Sequence, residues 1–180
     1  MTDGSAATRR RVVVIGIGNE FRRDDGAGPE VLARLREQVH TVGPDMVRPG
    51  TVRGDTVQLL SSDGEPASLI EAWTGAALAV VVDAVLADPP VPGRLHRLVL
   101  DRMTTEVRPV SSHGLGLGEA IGLARALGRM PDRLIIHAVE AADVGHGVGF
   151  TPAVAAAVAP LTAAVLRDLS GLDPRGPGQA

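Results

Sequence analysis

Apolar and polar positions along this chain follow two periods, and the switches between them predict its elements. Val12 to Ile17 is an unbroken, mostly β-branched run, the mark of a strand covered on both faces. After Gly28 the period lengthens. Pro29 suits a first helical turn, and Val31, Leu32, Leu35 and Val39 form an apolar stripe at helical spacing. Met46 to Val52 reads as a weak strand broken by Pro49 and Gly50, and 53–64 as loop with a short ordered piece at Val57 to Leu60. Pro66 to Trp73 predicts a second helix, with Leu69, Ile70 and Trp73 on one side, and Leu78 to Val82 a second buried strand. Asp88 to Gly93, with three prolines, is a turn, and Leu95 to Leu100 alternates without a clear inner face, as an edge strand does. Ser111 or Ser112 can cap a helix running through Leu127. Leu134 to Val139 is a further buried strand. Thr151-Pro152 then opens a last helix through Leu169, which Pro160 should kink.

Strands alternating with helices predict an α/β fold: a three-layer sandwich, its twisted, mostly parallel sheet carrying helices on both faces. The chain divides into an N-terminal arm over 1–10, a single domain over 11–170 and a Gly/Pro tail over 171–180. A length of 180 residues suits that one domain.

Composition removes several chemistries. The only aromatics are Trp73, Phe21 and Phe150, too few for base-stacking on single-stranded nucleic acid. All 18 basic residues are Arg, so Schiff-base and P-loop lysine chemistry are absent. A net charge of -3 offers no bulk attraction to nucleic acid or anionic membrane. Without cysteine there are no disulfides, cysteine nucleophiles, iron–sulfur clusters or thiolate zinc sites. Arg9-Arg10-Arg11 precedes an apolar run too short for a signal core, and no apolar run approaches the ~18 residues of a membrane span. The expectation is a cytoplasmic monomer with no membrane or nucleic-acid partner.

In open α/β sheets ligands bind beyond the carboxyl ends of the strands. The first strand ends in Gly16-Ile17-Gly18-Asn19, followed by Glu20 to Gly28. A dinucleotide fingerprint needs a third glycine where Phe21 stands, and Asp24 and Asp25 would repel a pyrophosphate. These aspartates can point into the crevice, or one can act as a helix cap. Leu78 to Val82 runs into Asp83, a carboxylate that is costly at a buried strand end unless paired or bound to metal, unless it is taken up by an Asp83-Ala84-Val85 turn. His113, near a helix start, faces the same end, and Glu140 follows the last strand. His40, His96 and His146 read as structural or surface residues, and His137 as a packed, hydrogen-bonded one. Two carboxylates and an imidazole suit nickel, zinc or a similar divalent ion with open positions. A serine triad fits less well, because Ser111 and Ser112 lack a G-x-S-x-G elbow.

Three blocks together resemble the hydrogenase maturation proteases: Gly16-Ile17-Gly18-Asn19 with Asp24-Asp25-Gly26-Ala27-Gly28, then Val82-Asp83-Ala84-Val85, then Ser111-Ser112-His113-Gly114-Leu115. They occur in the family's order, and the resemblance spans roughly Arg11 to Leu169. It implies an endopeptidase that removes the C-terminal extension of the large-subunit precursor of a nickel–iron hydrogenase after nickel insertion. It further implies that Asp25, Asp83 and His113 recognise that nickel and form the catalytic site, with Asp24 a further candidate for orienting it. The nickel is supplied by the substrate, and no organic cofactor is expected. The chain departs from the family where an Asp-Gly-Gly-Thr-like stretch is common: it has Pro49-Gly50-Thr51 and Gly54-Asp55-Thr56. It also carries His137 where an aromatic residue is frequent. Two alternatives use the same crevice: a non-catalytic assembly factor that senses the partner's metal state, and another metal-dependent aminopeptidase or amidase.

Overall fold

The computed structural model describes residues 10–38, 40–43, 46–48, 57–101 and 115–171. In chain order these form β1 (Val12–Ile17), a 3-10 turn (Arg23–Gly26), α1 (Ala27–Gln38), β2 (His40–Gly43), β3 (Met46–Arg48), β4 (Val57–Ser62), α2 (Pro66–Trp73), β5 (Leu78–Val85), β6 (Leu95–Asp101), α3 (Leu115–Ala126), β7 (Arg133–Glu140) and α4 (Pro152–Ser170). The arm up to residue 9, the tail from 172, and Val39, Pro49 to Thr51, Gly54 to Thr56, Ser111, Ser112 and His113 lie outside the described residues.

One seven-stranded sheet runs in the order β2-β3-β4-β1-β5-β7-β6. Its four consecutive strands β4, β1, β5 and β7 pair in parallel, while β2–β3, β3–β4 and β6–β7 pair antiparallel. The predicted three-layer sandwich is the fold observed. Strand alternation divides the core between the two faces. Val12, Val14, Val80 and Val82 pack beneath α1 and α4, whereas Val13, Ile15, Ala79 and Val81 pack beneath α2 and α3. Trp73, the largest fully buried side chain, lies on the α2/α3 face.

Four elements differ from the sequence expectation. Of the strand expected over 46–52, the described Met46–Arg48 is β3, half of a short hairpin with β2 added to the sheet edge. The ordered piece at Val57 is a full strand reaching Ser62, held by parallel pairing with β1 along its whole length. The second buried strand continues to Val85, so Asp83-Ala84-Val85 is ladder paired with Ala138 to Glu140 and not a turn. β6 is the edge strand expected, but both its faces are used: Val99 packs on the α1/α4 side and Leu98 and Leu100 on the other.

α4 is one helix through Pro160. Pro160 and Ala156, the residue whose carbonyl lacks a donor because of the proline, are both exposed, so water can satisfy that carbonyl. Among the described helices α4, with 19 residues and an 18-residue window of mean hydropathy 1.4, is long and apolar enough to cross a membrane by length and composition. Its Val154, Val158, Leu161 and Val165 belong to the core above the sheet, which accounts for that apolarity.

Gly28 sets how closely α1 meets the sheet. A Cβ there would lie 2.2 Å from the Ile17 carbonyl oxygen and 2.8 Å from that of Val82. The first-strand glycines and Gly28 therefore serve close helix–strand packing. α1 leaves β1 toward one face and α2 leaves β4 toward the other. That divergence opens a crevice beyond the carboxyl ends of the central strands.

Candidate active site

A cleft of about 280 Å³ occupies this crevice. Ile17 at the end of β1, Asp63 and Gly64 after β4, Asp83 on β5, and Gly116 and Leu117 at the start of α3 line it. Arg22, Asp25 and Val144 close the remaining side. Asp25 and Asp83 are thus brought together although 58 residues separate them in sequence.

Asp83 reaches the cleft through strand alternation. It follows Ala79 and Val81 on the α2/α3 face, at the point where the apolar layer ends. Only 8% of it is exposed. Burial pushes its carboxyl up to about 7; the Ala84 N–H opposes the rise, and the nearby Asp25 charge adds to it.

Asp25 is held differently. It lies in the 3-10 turn, half-buried, and its carboxylate accepts a hydrogen bond from the Asn19 N–H at 3.1 Å. Gly18 makes this approach possible: its φ is +128°, and a Cβ there would sit 1.9 Å from the Asp25 carbonyl oxygen. Across the cleft a Cβ on Gly116 would lie 2.4 Å from the Gly64 carbonyl oxygen, so a glycine lets α3 press against the β4–α2 turn.

Asp24 does not line the cleft. It is fully buried, and its carboxylate accepts from the N–H groups of Ala142, Asp143 and Thr151 and from the Thr151 hydroxyl, at 2.7–3.1 Å. Burial alone would raise its pKa, but these four donors outweigh burial and hold it below the usual value. The aspartate pair therefore divides: Asp25 faces the cleft, and Asp24 fixes the turn that carries Asp25. Thr151 is the N-cap of α4 by position, yet its hydroxyl goes to Asp24 and not to its own helix. Further ties secure the same turn. The Asp24 N–H donates to the Asp143 carbonyl, the Arg23 N–H donates to the Gly147 carbonyl, and Arg23 pairs with Asp143 at 3.2 Å. They hold Arg23 at φ 47°, the only positive φ on a described non-glycine residue.

Glu140 is a correction. As the last residue of β7 its carboxylate turns away from the cleft, accepting from the Val91 N–H and meeting His96 Nε2 at 2.7 Å and Arg94 at 3.5 Å. The Val91 N–H and then His96 hold it below the ordinary glutamate value. It anchors the 88–93 turn. His96 and His137 are structural as expected: His137 is buried, with Nε2 2.7 Å from Asp168 on α4.

His113 lies outside the described residues, three positions before Gly116 of the cleft wall. Among the described residues no group of three or more His, Asp or Glu side chains could hold a metal ion. Sequence reading did not single out Arg22, Asp63 or Gly64. Asp63-Gly64 fell within a stretch read as loop, and Arg22 within an undivided charged run.

A model of the hydrogenase maturation proteases matches residues 50–168. This chain belongs to that family. It is accordingly a peptidase, a hydrolase of hydrogenase maturation. It is similar to the hydrogenase 2 maturation protease of Escherichia coli, with 22% identity over 160 residues, 88% of this chain and 90% of that one. The fold matches the hydrogenase maturating endopeptidase HybD of E. coli with a TM-score of 0.69 at 23% identity, covering 88% of this chain and 91% of the other. It also matches the [NiFe] hydrogenase maturation protease HybD of Thermococcus kodakarensis with a TM-score of 0.59 at 23% identity, covering 89% and 99%.

Proposed function

We propose that the protein is the endopeptidase that cuts the C-terminal extension from the large-subunit precursor of a nickel–iron hydrogenase once nickel is in place. The observation that carries this reading is the pairing of Asp25 and Asp83 in one cleft at the strand ends. Asp83, desolvated and pushed up to about 7, gains from a divalent cation what water no longer supplies. Asp25 is fixed by backbone and is open to the same cleft. His113 completes the ligand set in this reading; Gly116 and Leu117, three and four positions further along, line the cleft and support it. The nickel belongs to the substrate and reports that the precursor is ready to be cut. No organic cofactor is required, and the protein works as a monomer in the cytoplasm.

In this scheme the precursor's nickel docks on the trio and sets the scissile bond in the cleft. Either a carboxylate takes a proton from the attacking water or the nickel polarises the scissile carbonyl. The test is the intact mass of the precursor, with and without nickel, after incubation with the protein. Loss of the C-terminal peptide from the nickel-loaded form alone is expected. A stable complex without cleavage would indicate the assembly-factor reading. A stoichiometric metal purified with the protein, and no effect of precursor nickel, would indicate a resident-metal hydrolase. Asp25→Asn, Asp83→Asn and His113→Ala should each slow processing by at least about a hundredfold. If all three variants still processed normally, the trio would be wrong.

A further inference from the structure

The turn that carries Asp25 has a second face. Beside the cleft, Phe21, Gly26 and Pro29 form a separate groove of about 420 Å³ with Val148 and Phe150. The sequence has only two phenylalanines, and both are here; the single tryptophan is fully buried elsewhere. Phe150 packs on the core and forms the floor, while Phe21 and Val148 are 62% and 78% exposed. Large side chains left this open beside a catalytic cleft, and brought together from positions 127 residues apart, form a surface suited to a protein partner. The charge at the rim is one-sided. Arg23 is paired with Asp143 and Glu30 with Arg34, which leaves Glu20 with no ionic partner among the described residues. The groove adjoins the cleft: Arg22, Asp25 and Val144 line the cleft, and their chain neighbours Phe21, Gly26 and Val148 line the groove. A substrate that is itself a protein overruns a 280 Å³ cleft and has to rest on neighbouring surface.

We propose that this groove is a docking surface for the hydrogenase large-subunit precursor, where Phe21 and Val148 take an apolar side chain and Glu20 faces a basic group beside it. The inference rests on the reading of the substrate given above. Docking here does not need nickel, since none of the groove's residues belongs to the nickel-recognising trio.

The experiment measures binding of the purified nickel-free precursor to the full-length protein. Phe21→Ser with Val148→Ser is expected to weaken binding by about tenfold or more, and Glu20→Arg by several-fold, with melting temperatures near that of the parent protein. Should the double variant melt much lower, Val148→Ser alone gives the reading, because that side chain is the most exposed. Unchanged affinity in the folded variants would overturn the proposal, as would a parent protein that does not bind the precursor. Sedimentation showing a parent dimer that the double variant abolishes would assign the groove to a second copy and equally overturn it. Processing of the nickel-loaded precursor is read separately by intact mass. Groove-dependent binding with no cleavage would defeat the endopeptidase reading and leave the docking surface standing.

Discussion

Asp24 and Asp25 share a turn, and their carboxylates meet different surroundings. Four donors surround Asp24, so its charge is spent on structure. One backbone N–H holds Asp25, and the rest of its carboxylate faces the cleft. Asp83 has the least support: one Ala84 N–H against nearly complete burial and a like charge nearby. A carboxyl raised from 3.8 to about 7 by folding binds protons more tightly in the native state. Its contribution to stability is fully present below about pH 4 and is lost as pH rises through about 7. Asp83→Asn removes that loss. The variant's stability relative to the parent should therefore climb between pH 4 and pH 8, by on the order of 3–4 kcal/mol. Urea titrations of both proteins across that range measure it, and parallel curves would show that Asp83 ionises normally.

At the scale of elements, close approach of helix to strand builds the cleft. α1 begins against β1 and β5 because Gly28 presents no side chain to the Ile17 and Val82 carbonyls. α3 meets the β4–α2 turn through Gly116. Gly28→Ala should force α1 outward, costing about 2–4 kcal/mol as overpacking of a closed contact. Because α1 follows directly on the turn that carries Asp25, the same variant should also process precursor more slowly at equal folded concentration. Chemical denaturation and the intact-mass assay read the two effects. A variant as stable and as active as the parent would mean that the helix can shift without moving the site.

At the scale of the molecule, three carboxylates join segments remote in sequence. Asp24 ties the 3-10 turn to the loop before α4. Asp168 links α4 to Arg97 on β6 and His137 on β7, and Glu140 secures the 88–93 turn. All three are held below their ordinary values; for Asp24 and Asp168 the hydrogen bonds outweigh a burial that acts the other way. Depressed carboxyls give stability that is present above about pH 4 and lost as pH falls through their native values. Acid unfolding should follow, and Asp24→Ala should reshape it. The variant should lose about 3 kcal/mol or more at pH 7, where three backbone N–H groups are left without their acceptor. It should lose less at pH 3, where the unfolded parent takes up a proton on Asp24 that the folded state resists. An equal loss at both values would remove the charge from the explanation.

Much of this was legible along the chain. β1 and α2 have the limits that apolar periodicity predicts, because a run of β-branched residues and a Pro-initiated amphipathic turn carry their structure locally. The glycines around β1 and the carboxylate ending an apolar run marked the crevice. The family blocks named the residues expected to work there. What sequence could not settle depends on neighbours far along the chain. Parallel pairing extends β4 to Ser62 and β5 to Val85, and so makes Asp83 a strand residue. The family blocks singled out Asp25 over its neighbour Asp24 without a physical reason; the N–H groups of residues 142–151, more than a hundred positions away, supply it by taking up Asp24. Glu140 looked like a crevice acid until the β6 partner of its strand placed His96 against it. Local pattern fixes which segments are strand or helix, since periodicity is a property of the segment. The partner of each charged side chain was decided only by packing, because hydrogen bonds and desolvation belong to atoms that folding brings together.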